Sequence, residues 1–253
     1  MHTDIIGGMD SVGQLNERLA AARRVTVMTG AGISAASGVP TFRGPDGLWR
    51  SFRAEDLATP EAFARDPLLV WEWYDWRREV IAACRPNAAH ATLAAWSRHA
   101  GFTLITQNVD GLHELAGTRG VIRFHGSIWE LLCVNGCGAS PWEDRRSPLP
   151  ALPPRCPSCG GLARPGVVWF GESIHRAVLT RCGAAVSCDV FLSVGTSSVV
   201  YPAAGLAHAA RDCGAFTVEI NPAATDAAAA LDLAIARPAE VILPLLTWPP
   251  RQG

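Results

Sequence analysis

Gly30-Ala31-Gly32-Ile33-Ser34-Ala35-Ala36-Ser37-Gly38-Val39-Pro40-Thr41-Phe42-Arg43-Gly44 directly follows the apolar run Val25–Thr29. A strand that ends in glycines and turns into a helix start lets backbone N–H groups approach a pyrophosphate closely. A hydride-transferring dehydrogenase with this loop also carries Asp or Glu at the end of a second strand, about 20 residues on, for its adenine ribose. No such strand end follows Gly32. The continuation through Gly38 to Gly44 is therefore more informative than the glycines.

Four further apolar runs lie outward from this loop: Phe102–Thr106, Val121–Phe124, Val190–Val194 and Phe216–Ile220. Leu15, Leu19 and Ala22 fall at helical spacing ahead of the first run, and Pro202 to Arg211 reads as a helix behind the fourth. Continuous apolar strands alternating with helices predict a parallel sheet covered on both faces. Two stretches break the rhythm: Arg50 to Ala83, rich in tryptophan and helical in pattern, and Cys133 to Val168, rich in proline and without periodicity. The expected organisation is an α/β Rossmann-like domain from residues 1–49, 84–126 and 169–253. A small domain is expected from a helical insertion, 50–83, and a zinc-ribbon insertion, 127–168.

With 253 residues, 49% of them hydrophobic, the chain can bury a sizeable core. A net charge of −1 argues against nucleic acid or a membrane surface held by bulk electrostatics. No apolar run reaches the length of a membrane span, and Met1 to Asp10 lacks the pattern of a signal peptide, so a cytoplasmic protein is expected. All 22 basic residues are arginine. Composition accounts for that, and no function is drawn from it.

Cys133-x3-Cys137, then 18 residues, then Cys156-x2-Cys159 is a four-thiolate zinc pattern. Four protein ligands leave no open position, so the metal is expected to be one structural Zn2+. Cys84, Cys182, Cys188 and Cys213 are scattered and read as buried packing residues.

The loop at Gly30–Gly44 resembles that of the sirtuins, and further blocks follow in the same order. They are TQNVDGLH at Thr106–His113, FHGS at Phe124–Ser127, VVWFGE at Val167–Glu172, GTSSVVYP at Gly195–Pro202 and INP at Ile220–Pro222. The resemblance implies an enzyme that moves an acyl group from lysine to ADP-ribose with NAD as co-substrate, releasing nicotinamide. It makes His125 the general base. The residue itself suits that role, since an imidazole exchanges protons near neutral pH. It assigns NAD contacts to Gly30, Ala31, Gly32, Ser34, Thr41, Phe42, Arg43, Trp49, Gln107, Asn108, Asp110, Gly195, Thr196, Ser197, Asn221 and Ala239. It lays the acyl-lysine backbone beside Val168, Trp169 and Phe170 as an extended strand.

Tyr74 and Arg77 lie three apart, on one helix face, where a phenol and a guanidinium can grip a carboxylate together. Their spacing resembles that of class III sirtuins, which implies a preference for malonyl- or succinyl-lysine, with Ala58 leaving room for the longer chain. The expected partners are acylated-lysine proteins, and the expected state is a monomer. Two alternatives stand beside this reading: a sirtuin acting mainly as deacetylase or ADP-ribosyltransferase, and a non-catalytic module that senses NAD metabolites.

Overall fold

The computed structural model describes residues 3–40, 52–139, 141–197, 200–223 and 225–249. Nine strands are present among them: β1 Val25–Thr29, β2 Phe102–Thr106, β3 Ile122–Arg123, β4 Gly126–Cys133, β5 Trp142–Glu143, β6 Ala163–Val167, β7 Val190–Val194, β8 Phe216–Ile220 and β9 Leu233–Ile235. Six form a parallel sheet in the order β3-β2-β1-β7-β8-β9. β4 lies between β5 and β6 in a second, antiparallel sheet.

The parallel sheet follows from its composition. Every residue of β1 and β7 is buried, as expected for central strands covered on both faces. Val25, Val27, Leu104, Val190, Leu192 and Val194 point into one core with Leu15, Leu19 and Leu93. Met28, Ile105 and Phe191 point the other way, onto Cys182, Ala207 and Ala210. The alternation is the period of two of a strand, here with an apolar layer on each side.

Four of the five apolar runs are strands with the expected ends, while Val121–Phe124 contracts to the two-residue β3. The helix read from Pro202 begins at Gly205 and ends at Asp212. None of the apolar runs corresponds to β9 or to the small sheet: β4, almost all of it ahead of Cys133, and β5 and β6, within Cys133 to Val168, are additional. Of the scattered cysteines, Cys84, Cys182 and Cys188 are buried, whereas Cys213 is exposed just past the helix end.

Arg50 to Ala83 resolves, within the described residues, into helices Ala54–Leu57, Pro60–Arg65 and Pro67–Ala83. The last two start at prolines, whose missing N–H is no loss in a first turn. Thr59 and Asp66 cap them by accepting from Ala62 N at 3.1 Å and Leu69 N at 3.0 Å. Trp71, Trp73, Tyr74 and Ile81 pack against Ile128, Trp129 and Leu131 of β4 and against Ala163, Val167 and Trp169. The two stretches that interrupt the α/β rhythm thus share one core. Trp71 Nε1 donates to Ala163 O across it at 2.8 Å.

Arg78 closes this core. Its side chain is fully buried, donates to Ile128 O at 3.2 Å, Arg146 O at 2.9 Å and Asp144 O, and pairs with Asp144 at 3.6 Å. Burial lowers its pKa, and the Asp144 carboxylate opposes that shift. At the far end of the small sheet, the sulfurs of Cys133, Cys137, Cys156 and Cys159 lie within 4.8 Å of one another. The Cys133–Cys159 and Cys137–Cys156 pairs are each 3.6 Å apart. Four thiolates about 2.3 Å from a central zinc stand at about this mutual spacing, so the donor set fits one tetrahedral Zn2+.

Replacing Arg78 by Met leaves the buried carbonyls of Ile128 and Asp144 and the part-buried one of Arg146 without this donor and should lower unfolding stability by about 3 kcal/mol, read from the urea midpoint. Removal of zinc by a chelator, or Cys156→Ser, should unravel the loops around β5 and β6 before the parallel sheet melts. Metal analysis of the native protein should give one zinc per chain; a stoichiometry near zero in fully folded protein would exclude the metal.

Candidate active site

β1 and β7 end side by side where the strand order reverses, the position at which open parallel sheets form a ligand crevice. Gly30 N donates to Val194 O at 3.0 Å, and Gly32 N to Gly195 O at 2.8 Å. A Cβ on Gly32 would stand 2.8 Å from Gly195 Cα, and one on Gly195 would stand 2.4 Å from Ile33 N. Gly195 also has φ of +59°, which disfavours any side chain. The two strand-end loops touch backbone to backbone, and their outer edges are left bare toward a cavity of about 770 Å³.

Gln107, Asn108 and Asp110 follow β2 on the next strand end. Gln107 Nε2 donates to Thr196 Oγ1 at 3.0 Å, and Asn108 Nδ2 to Gly30 O at 3.0 Å. Each amide is thus held by one of the two glycine loops. Asp110 is buried and accepts from Ser34 Oγ and from Leu112 N, both at 2.8 Å. Burial raises its pKa; the two hydrogen bonds and the Arg77 charge work against that shift.

His125 stands between β3 and β4. Gly126 behind it has φ of +80°, and a Cβ there would lie 2.1 Å from Gly166 O of β6, so the chain can turn here only at glycine. His125 Nδ1 lies 3.0 Å from Gln107 O. A carbonyl only accepts, so Nδ1 carries the proton and Nε2 keeps a free lone pair. Burial lowers the imidazole pKa, against the pull of the carbonyl. The ring is therefore neutral at pH 7, with a base nitrogen available at the cavity wall.

Ala58, Tyr74, Arg77, Val168, Trp169 and Phe170 line the other part of the cavity. Arg77 is half-buried, with its guanidinium 4.9 Å from the Trp73 ring and 5.5 Å from the Tyr74 ring. Tyr74 is buried and its phenol is pushed up to about 12, mainly by desolvation. The segment after β6 is more committed than a free strand edge. Val168 N donates to His125 O and Phe170 N to Ala58 O, each at 2.9 Å, and Trp169 N donates to Glu172 Oε2 at 2.9 Å. A peptide laid beside it must donate to its carbonyls.

Gly30, Ala31, Gly32, Gln107, Asn108, Asp110, Gly195, Thr196, Ser197 and Asn221 also line the cavity. Ser34 and Ala239 do not. Ser34 is buried beneath Asp110, and the Ala239 methyl lies in the hydrophobic core at the start of helix Ala239–Ile242. Thr41, Phe42, Arg43 and Trp49 lie outside the described residues. Glu172 closes the VVWFGE block, but nothing in the sequence marked Arg164, with which it pairs at 2.6 Å beside the cavity. Their separation of eight residues matches no helical or strand contact, and only the turn after β6 brings them together.

A model of the Sir2 family matches residues 30–202 of the chain. An NAD-dependent protein deacylase of Aquifex aeolicus is 54% identical over 203 residues, covering 79% of this chain and 84% of that protein. One of Ralstonia nicotianae is 48% identical over 228 residues, covering 89% and 92%. A crystal structure of a Sir2 homologue in complex with NAD superposes with a TM-score of 0.86 at 43% identity, over 92% of this chain and 91% of that one. With the glycine loops, the histidine and the thiolate cluster in place, the chain belongs to the Sir2 family of NAD-dependent protein deacylases.

Proposed function

We propose that this deacylase acts preferentially on lysines carrying short acidic acyl groups, succinyl or malonyl, and retains capacity for acetyl. The observation that carries the reading is the placement of a guanidinium and a phenol, Arg77 and Tyr74, on the same wall of the cavity that His125 borders. A carboxylate entering there meets a positive charge and a protonated phenol beside the Trp73 and Trp169 rings, where charge-assisted hydrogen bonds are strong. Ala58, small and at the cavity wall, leaves room for a longer chain.

The residues present suit a dinucleotide: bare glycine backbone at the switch point, two amides aligned by that backbone, and Asn221 beyond β8 on the same cavity. NAD, when bound, supplies the ribose carbon that accepts the acyl oxygen and the nicotinamide that leaves. The chain's own work is positioning and proton transfer. Gly30, Ala31, Gly32, Gly195, Thr196 and Ser197 would hold the phosphates and adenosine, with Ser34 and Ala239 acting from behind. Gln107, Asn108 and Asp110 would hold the nicotinamide and its ribose. His125, fixed through Nδ1, would take a ribose hydroxyl proton at Nε2. Thr41, Phe42, Arg43 and Trp49 would cover the reacting centre, as the resemblance implies. The substrates are acylated-lysine proteins, whose backbone would donate to the carbonyls of Val168 and Phe170. Residues 50–83 and 127–168 would form the small domain on the substrate side, stiffened by zinc. No helix among the described residues is long and apolar enough to cross a membrane. Paired thiols suited to a reducing compartment favour a cytoplasmic enzyme.

His125→Ala should lower kcat/KM for nicotinamide release by about 100-fold or more. In the parent protein the acid limb of the kcat/KM profile should fall below the ordinary imidazole value of about 6.5, because the base form is required and burial lowers its pKa. Arg77→Met should lower turnover of a succinyl-lysine peptide about 10- to 100-fold more than that of the matched acetyl peptide. Equal losses on the two peptides would refute the acidic-acyl assignment.

A further inference from the structure

Trp169 Nε1 lies 3.0 Å from Tyr74 Oη, and both side chains are buried. An indole nitrogen only donates, so the phenol oxygen is the acceptor and its own proton must leave in a different direction. Among the described residues Tyr74 Oη donates to no acceptor. A buried hydroxyl in that state favours a ligand that brings an acceptor to it, and Tyr74 borders the cavity.

The indole is itself held on every side. The Arg164 guanidinium sits 3.5 Å from its ring centroid, and the Phe63 ring 5.2 Å away at 39°. Glu172 fixes that guanidinium through contacts of 2.6 Å and 2.9 Å, and also accepts from Trp169 N at 2.9 Å. Arg164 Nη2 further donates to Val167 O at 3.0 Å. The Arg164 charge is matched by Glu172 and does not compete with Arg77 for an entering carboxylate. What reaches Tyr74 from this assembly is one hydrogen bond of fixed direction.

We propose that Trp169 is a positioning residue for acyl selectivity: by occupying a lone pair of Tyr74 Oη it turns the phenolic proton toward the cavity, where it meets the carboxylate of an acidic acyl chain beside Arg77. The role rests on the acidic-acyl reading above. It extends that reading from the pair that would touch the acyl group to the residue that orients one of them. Without the indole N–H the hydroxyl can populate either of its two in-plane orientations, and part of the binding free energy goes into selecting one.

The test is the ratio of kcat/KM for matched succinyl- and acetyl-lysine peptides, measured at saturating NAD. Trp169→Phe should lower this ratio about three- to tenfold, mainly through the KM of the succinyl peptide. In a Tyr74→Phe background the same substitution should change the ratio no further, since its route through the phenol is gone; a merely structural effect would persist there. If Trp169→Phe does not fold, β-(3-benzothienyl)alanine at 169 keeps the shape of the indole, lacks the N–H and gives the same reading. An unchanged ratio, or an equal drop in both backgrounds, overturns the proposal. If Arg77→Met also leaves the ratio unmoved, the acidic-acyl reading is lost with it. If Arg77→Met shifts the ratio and Trp169→Phe does not, the role of Trp169 alone is lost.

Discussion

The approach of Gly30 and Gly32 to Gly195, backbone against backbone at the ends of β1 and β7, is the constraint on which the site depends. A methyl group at any of the three would collide with main-chain atoms, which cannot rotate away as a side chain can. The contact fixes where the two loops end. Asn108 hangs on Gly30 and Gln107 on Thr196. His125 in turn hangs on the Gln107 carbonyl. The order runs from sheet topology to loop contact to amide to base, each link a short hydrogen bond with a named partner.

The second half of the cavity is built on another plan. Its polar groups sit on an apolar core, rich in tryptophan, that joins helix Pro67–Ala83 to the small sheet. Two neighbouring arginines on that helix divide the work. Arg78 points inward, fully buried, and satisfies carbonyls, while Arg77 stacks on Trp73 and Tyr74 at the cavity wall. Adjacent helical positions are about 100° apart, so one helix can close the core with one and line the site with the other. Burial shifts Tyr74 and Arg77 toward their neutral forms, but both start far above neutral pH. The phenol therefore stays a donor and the guanidinium a cation.

Much of this was legible in the sequence because local pattern and final environment agree. β1, β2, β7 and β8 are apolar runs buried on both faces, and their ends matched the runs residue for residue. β9, with Leu233, Ala234 and Ile235, lies at the sheet edge and is too short to show a period. β6 was hidden because it contains Pro165 and Gly166, residues that ordinarily argue against a strand. Here Gly166 leaves room for the backbone of Glu130, to which a Cβ would come within 2.9 Å. The cysteine spacing announced the thiolate cluster because ligand geometry acts over short loops. Arg78 and Arg164 left no such trace, since the first meets its partners 50 to 68 positions away and the second through a turn.

The acyl preference is tested most directly by nicotinamide release catalysed by the unmodified protein, with NAD and succinyl-lysine and acetyl-lysine peptides of identical sequence. Both peptides should be turned over, with the larger kcat/KM on the succinyl peptide. A larger kcat/KM on the acetyl peptide, or release of nicotinamide that neither peptide stimulates, would contradict this preference.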